Sequence, residues 1–175
     1  MGFFSRLKKF FRQKKSAFDI VLETVDYYRT HPRGVETTHC INVDDEHDTC
    51  VYLTDEGNMC AIGRCLKPEF LAMLGGGGAL PESGGISEVC HHYSVKVDEI
   101  LKEEYRGHTM LFWSNLQHLH DFRSNWEDTE KGTVLTRTGK RQLDDTLTYC
   151  CTKEESSRDL ANKLPKHLRK EKKNV

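Results

Sequence analysis

Three consecutive stretches decide the fold class: Thr49-Cys50-Val51-Tyr52-Leu53, then Asp55-Glu56-Gly57-Asn58, then Met59-Cys60-Ala61-Ile62-Gly63. The first is rich in strand formers, the second has turn chemistry, and the third returns as an apolar run. Together they predict a β-hairpin. The rest of the chain carries helical rather than alternating periodicity, so the expected fold is α+β, a mostly helical single domain with a small hairpin-based sheet. Just beyond the hairpin, Pro68 opens a short helix through Leu74.

Upstream, residues 35–48 are polar and acidic, with Asp44, Asp45, Glu46 and Asp48, and read as a loop. Before them, Ser16 is placed to cap a helix that has Asp19 in its first turn and Phe18, Val21, Val25 and Tyr28 as its apolar stripe. His31-Pro32-Arg33-Gly34 stops it.

Downstream, residues 75–85 form a Gly-rich connector without the Lys-Ser/Thr of a phosphate-binding loop. A helix capped by Ser87 is expected to carry Val89, Tyr93, Val97 and Leu101 and to end near Gly107. A second is expected from Thr109 to Asn125, with Phe112, Leu116 and Leu119 inward. A third is expected from about Thr138, with Leu143, Leu147 and Cys151. After Pro165 the chain reads as a frayed or disordered tail.

A chain of 175 residues suits one domain that buries its own core without disulfides or metals. Its net charge of −1 conceals three regions. Residues 1–15 hold six basic residues and no acid, and residues 163–175 hold six against Glu171 alone. The globular part, 16–162, therefore has 14 basic and 26 acidic residues, a charge of −12, and repels polyanions.

The basic N-terminal segment has a second property. Phe3, Phe4, Leu7, Phe10 and Phe11 recur at three- to four-residue spacing, while Arg6, Lys8, Lys9, Arg12, Lys14 and Lys15 fill the remaining arc. Such a helix lies in the interface of an anionic membrane. The competing readings are contact with a partner protein, or packing on the chain's own acidic body. Nucleic acid ranks below these, because no base-reading or stacking groups accompany the cations.

No apolar core of a secretory signal follows the first charges, and nothing approaches the roughly 20 apolar residues of a membrane span. Position six is Arg6, not the Ser or Thr of a myristoylation signal. With an odd count of seven cysteines and no secretory signal, a reducing cytoplasm with mostly free thiols is expected.

Two metal readings compete with a non-enzymatic, cofactor-free one. Cys40, Cys50, Cys60 and Cys65 are separated by nine, nine and four residues, so only Cys60 and Cys65 approach zinc-ligand spacing. Cys90, His91 and His92 could complete such a site. Alternatively, these thiols are small buried hydrophobes. Separately, His120-Asp121, with His91 or His92 upstream and Asp144 or Asp145 downstream, resembles the ligand pattern of HD-domain phosphohydrolases. There a divalent metal would activate water and polarise a phosphoryl oxygen. Against this, His120 is a half-buried helix histidine, with Asp121 solvated or paired with Arg123.

A further resemblance rests on His31-Pro32-Arg33, Cys50-Val51-Tyr52, the run Gly57-Asn58-Met59-Cys60-Ala61-Ile62-Gly63-Arg64-Cys65-Leu66, and Leu116-Gln117-His118-Leu119-His120-Asp121 followed by Trp126. Over roughly residues 18–150 the chain is similar to small proteins of tailed bacteriophages and some bacterial genomes. No activity is attached to that group. The resemblance implies a phage accessory protein in the cytoplasm of a bacterial host, peripheral to the inner membrane, with a host or phage protein as partner, and transfers no catalytic residue.

Overall fold

The computed structural model describes residues 14–39, 46–75, 85–130, 132–149 and 157–168. The N-terminal segment as far as residue 13, most of the Gly-rich connector, Cys40, Cys151 and the last basic residues lie outside the described residues.

The first helix, α1 (Ala17–Tyr28), begins where the capping chemistry places it. The Ser16 hydroxyl accepts the Asp19 amide at 3.1 Å, and the Asp19 carboxylate accepts the Ser16 amide at 3.3 Å. Ile20, Val21, Thr24, Val25 and Tyr28 form its buried face.

A sheet is present, though not from the expected strands. β1 (Val35–His39) pairs antiparallel with β2 (Glu46–Cys50), Val35 opposite Cys50 and His39 opposite Glu46. This occupies the segment expected to be loop. Its polarity suggested solvent, whereas Val35, Thr37, Thr38 and Thr49 are β-branched and favour extended backbone. The expected turn does form: the Thr54 amide donates to the Asn58 carbonyl at 2.9 Å, and Gly57 takes a φ of +85°. Its flanks meet only at the bridge Leu53–Met59. Cys60, Ala61, Ile62, Cys65 and Leu66 are fully buried, so this run has no solvent face to alternate with. It coils inward as a 3-10 turn, Gly63–Cys65. A Cβ on Gly63 would overlap the Tyr52 carbonyl oxygen, so these two segments touch backbone to backbone.

After α2 (Pro68–Gly75), the helix expected over 87–107 divides into α3 (Ile86–His92) and α4 (Val97–Ile100), and Ser87 is not its cap: Gly85 holds that position and Ser87 lies inside the first turn of α3. Leu101 is bridged to Leu66, with the Lys67 amide on the Ile100 carbonyl and the Lys102 amide on the Cys65 carbonyl, at 2.9 and 3.0 Å. That pairing demands extended backbone where the four-residue spacing suggested helix. Ser94, at φ +53°, marks the break.

α5 (Met110–Asp121) starts at its Thr109 cap and ends four residues short of the expected Asn125. Distant side chains supply its C-terminal cap. Asn125 and the Trp126 indole donate to the Leu119 carbonyl at 3.1 and 2.8 Å, and Arg33 donates to the His120 carbonyl at 3.1 Å. A second hairpin, β3 (Trp126–Thr129) with β4 (Gly132–Leu135), fills the stretch between the two expected helices, for which no strand was expected. α6 (Arg137–Tyr149) follows, with Leu143 and Leu147 buried.

The C-terminal expectation is also corrected as far as Leu168. α7 (Ser157–Lys163) and a 3-10 turn, Lys166–Leu168, place Leu160, Leu164 and Leu168 in the interior at four-residue spacing. The lysines around them conceal this apolar stripe in a charge count. Leu164 and Leu168 join one core with Ile20, Trp113, Leu116 and Leu143. Among the described residues no helix is long and apolar enough to cross a membrane.

Gly139 packs against the end of α5: a Cβ there would overlap the Asn125 carbonyl oxygen and lie 2.8 Å from Leu135 Cδ2. Helix propensity alone would make Gly139→Ala stabilising by about 1 kcal/mol. The overlap reverses the sign, and Gly139→Ala is expected to lose about 2 kcal/mol in urea denaturation.

Candidate functional site

The most concentrated charge chemistry among the described residues lies where the chain enters the body. Arg64 is 5% exposed, a guanidinium inside the apolar run 60–66. A buried cation is tolerated only when paired and hydrogen-bonded. α1 supplies the partners from one turn. Glu23 Oε1 stands 3.0 Å from Arg64 Nη1, the Ile20 carbonyl accepts from Nη2 at 3.1 Å, and the Thr24 hydroxyl accepts from the same nitrogen. The Arg64 carbonyl in turn accepts from Lys102 Nζ at 2.6 Å.

Glu23 also receives the Tyr105 hydroxyl at 2.7 Å and the Lys15 ammonium. Lys15 Nζ lies 4.8 Å from the Tyr105 ring centroid, and the Arg64 guanidinium carbon lies 5.8 Å from it. Backbone contacts complete the clamp on residue 15: its amide donates to the Glu104 carbonyl at 2.8 Å, and its carbonyl lies 3.0 Å from His108 Nε2. Burial alone would raise the Glu23 carboxyl, but the hydrogen bonds from Lys15 and Tyr105 and the Arg64 charge outweigh it, and it lies below the usual carboxylate range. Burial, then donation to Glu23, pushes the Tyr105 hydroxyl up to about 12. For Lys15 burial works downward, and the hydrogen bonds to Glu23 and Tyr105 carry it above its usual value.

Of the residues expected to contact a membrane or partner, Lys14 is exposed and Lys15 is turned into this network. Phe3, Phe4, Arg6, Leu7, Lys8, Lys9, Phe10, Phe11 and Arg12 lie outside the described residues. Sequence reasoning missed Glu23, Arg64, Lys102 and Tyr105. One signal pointed to them: Arg64 is the lone charge between Met59 and Leu66.

The phosphohydrolase pattern does not assemble. His120 is fully buried, its Nδ1 2.9 Å from Asp121 Oδ1 and its ring 5.1 Å from the Tyr28 ring centroid. His91 and His92 are exposed on α3, while Asp144 and Asp145 lie on α6. Among the described residues, no three His, Cys, Asp or Glu side chains form a group able to hold a metal ion.

The zinc pattern fares no better among these residues. Cys60 Sγ accepts the Gly63 amide at 3.3 Å, and Cys65 Sγ donates to the Ala61 carbonyl at 3.4 Å. Both thiols thus shape the 3-10 turn. Burial pushes the Cys65 thiol up to about 12 and raises Cys90 as well, opposing the thiolate that metals and electrophiles need. No family model, curated protein or solved structure matches the chain.

Two outcomes follow. Glu23→Gln leaves the buried Arg64 without its carboxylate and is expected to lose about 2 kcal/mol at neutral pH, a value reduced because Glu23 is partly exposed. Because the folded-state value is lowered, this contribution is full above the ordinary carboxyl value of 4.5 and is lost as pH falls through the folded one. Urea denaturation across that range should show wild type and variant converging in acid. Separately, iodoacetamide at mildly alkaline pH should leave Cys60 and Cys65 unlabelled in the native protein. Peptide mass spectrometry should find both labelled in denaturant.

Proposed function

We propose that the chain is a non-enzymatic accessory or interaction protein, attached to an anionic membrane surface through residues 2–15. The carrying observation is the separation of Phe3, Phe4, Leu7, Phe10 and Phe11 from six cations on one helical wheel. The clamp on Lys15 supports this reading, because it gives any element preceding it a fixed root on the body. The clamp also lowers the electrostatic contribution. With Lys15 engaged by Glu23, five cations remain for the surface, about 5 kcal/mol at about 1 kcal/mol each. That alone corresponds to weak, reversible attachment, and the four phenylalanines add apolar burial to it.

The resemblance to small phage proteins supports the inner membrane of a bacterial host as the surface concerned, and a host or phage protein as the body's partner. The arrangement around His120 and the cysteines supports structural roles for them.

Co-sedimentation with phosphatidylglycerol vesicles tests the proposal. The full chain should pellet with these vesicles and stay in solution with neutral phosphatidylcholine. A chain beginning at Lys14 keeps the clamp and should stay in solution with both. Phe10→Glu/Phe11→Glu, which keeps all six cations, should also abolish pelleting. Equal pelleting of the full and shortened chains would overturn the proposal.

A further inference from the structure

A crevice of about 160 Å³ opens where α1, β4, the first turn of α6 and the C-terminal 3-10 turn meet. Its floor is apolar: Val25, Leu135 and Leu168 are each less than 7% exposed. Its mouth carries Arg29, Lys140 and His167 beside the exposed Val134. Arg29 is paired with Asp26 at 3.0 Å. The side chains of Lys140 and His167 have no hydrogen-bond or ion-pair partner among the described residues. No acidic side chain lines the crevice.

That last fact runs against the composition of the body, where acids outnumber bases 26 to 14. With Arg29 paired to Asp26, Lys140 and His167 are left as the nitrogen groups without a partner at this apolar opening. The floor accepts a compact apolar group, since a cavity of about 150 Å³ lined by aliphatic side chains accommodates a benzene ring. A negative group attached to it would sit at the mouth, within reach of the two nitrogen groups that have no partner. An uncharged ligand would leave those nitrogens as they are, and a bare inorganic anion would leave the floor unfilled.

We infer that this crevice binds a small carboxylate carrying one aromatic or branched aliphatic group, with the apolar part on Val25, Leu135 and Leu168 and the carboxylate facing Lys140 and His167. The site involves none of residues 2–15, so it stands or falls separately from membrane attachment.

The test is a methyl-resolved NMR titration of the full chain with phenylacetate and 4-methylvalerate as probes. Saturable shifts confined to the methyl groups of Val25, Val134, Leu135 and Leu168 are expected. Lys140→Gln/His167→Gln changes only side chains at the mouth and should weaken binding about five-fold while leaving the unliganded spectrum folded. Benzyl alcohol, the uncharged counterpart, should bind more weakly than phenylacetate by a similar factor. Equal binding of benzyl alcohol, or shifts produced by inorganic phosphate alone, would overturn the inference. So would no saturable shift with either carboxylate. A peptide ending in phenylalanine that binds where phenylacetate does not would also overturn it, assigning the crevice to a polypeptide C-terminus. A chain beginning at Lys14 should bind phenylacetate as the full chain does.

Discussion

Burying the Arg64 guanidinium sets a condition that several segments must meet at once. An unpaired cation in the interior costs several kcal/mol. Its compensation comes from α1 through Glu23, Thr24 and the Ile20 carbonyl. Glu23 is in turn held by Tyr105 from the segment after α4 and by Lys15 from the entry of the chain. Lys102 donates to the Arg64 carbonyl from the same later segment. Two stretches far apart in sequence, residues 15–24 and 102–105, are thereby tied to one charge at position 64.

The opposite end of the core follows a similar logic with neutral groups. α5 stops without a glycine cap, and its last carbonyls are taken by Arg33, Asn125 and Trp126. Trp126 also begins β3, so the helix end and the second hairpin form together. Gly139 is the contact that lets α6 approach this junction. Most of the buried polar chemistry thus maintains the fold. His120 belongs to this group, its ring nitrogen against Asp121 and its carbonyl under Arg33. Lys140 and His167 lie instead at the mouth of the crevice formed by α1, β4, α6 and the C-terminal turn.

Local signals were legible wherever the physics is local. Ser16 with Asp19, Thr109 before α5, Pro68 at α2 and the Gly57 turn all act within a few residues, and each stands where the sequence indicates. The β1–β2 pairing was hidden by the acidity of its residues. The end of α4 was hidden because Leu66, thirty-five positions away, holds Leu101 extended. Leu160, Leu164 and Leu168 were masked by the lysines between them.

By itself, the sequence determined a mostly helical α+β chain, the excess of acids over residues 16–162, and the caps Ser16 and Thr109. These follow from side-chain type and spacing, which act over a turn or two. Tertiary structure alone decided which polar groups would be buried together. It brought Glu23, Arg64, Tyr105 and Lys15 into one network, formed no group of three His, Cys, Asp or Glu side chains able to hold a metal ion among the described residues, and gathered Arg29, Lys140 and His167 around an apolar floor. The reason is that desolvation attaches to a place in the packed core and not to a position along the chain. Only the completed fold shows which charges must find partners and which remain available.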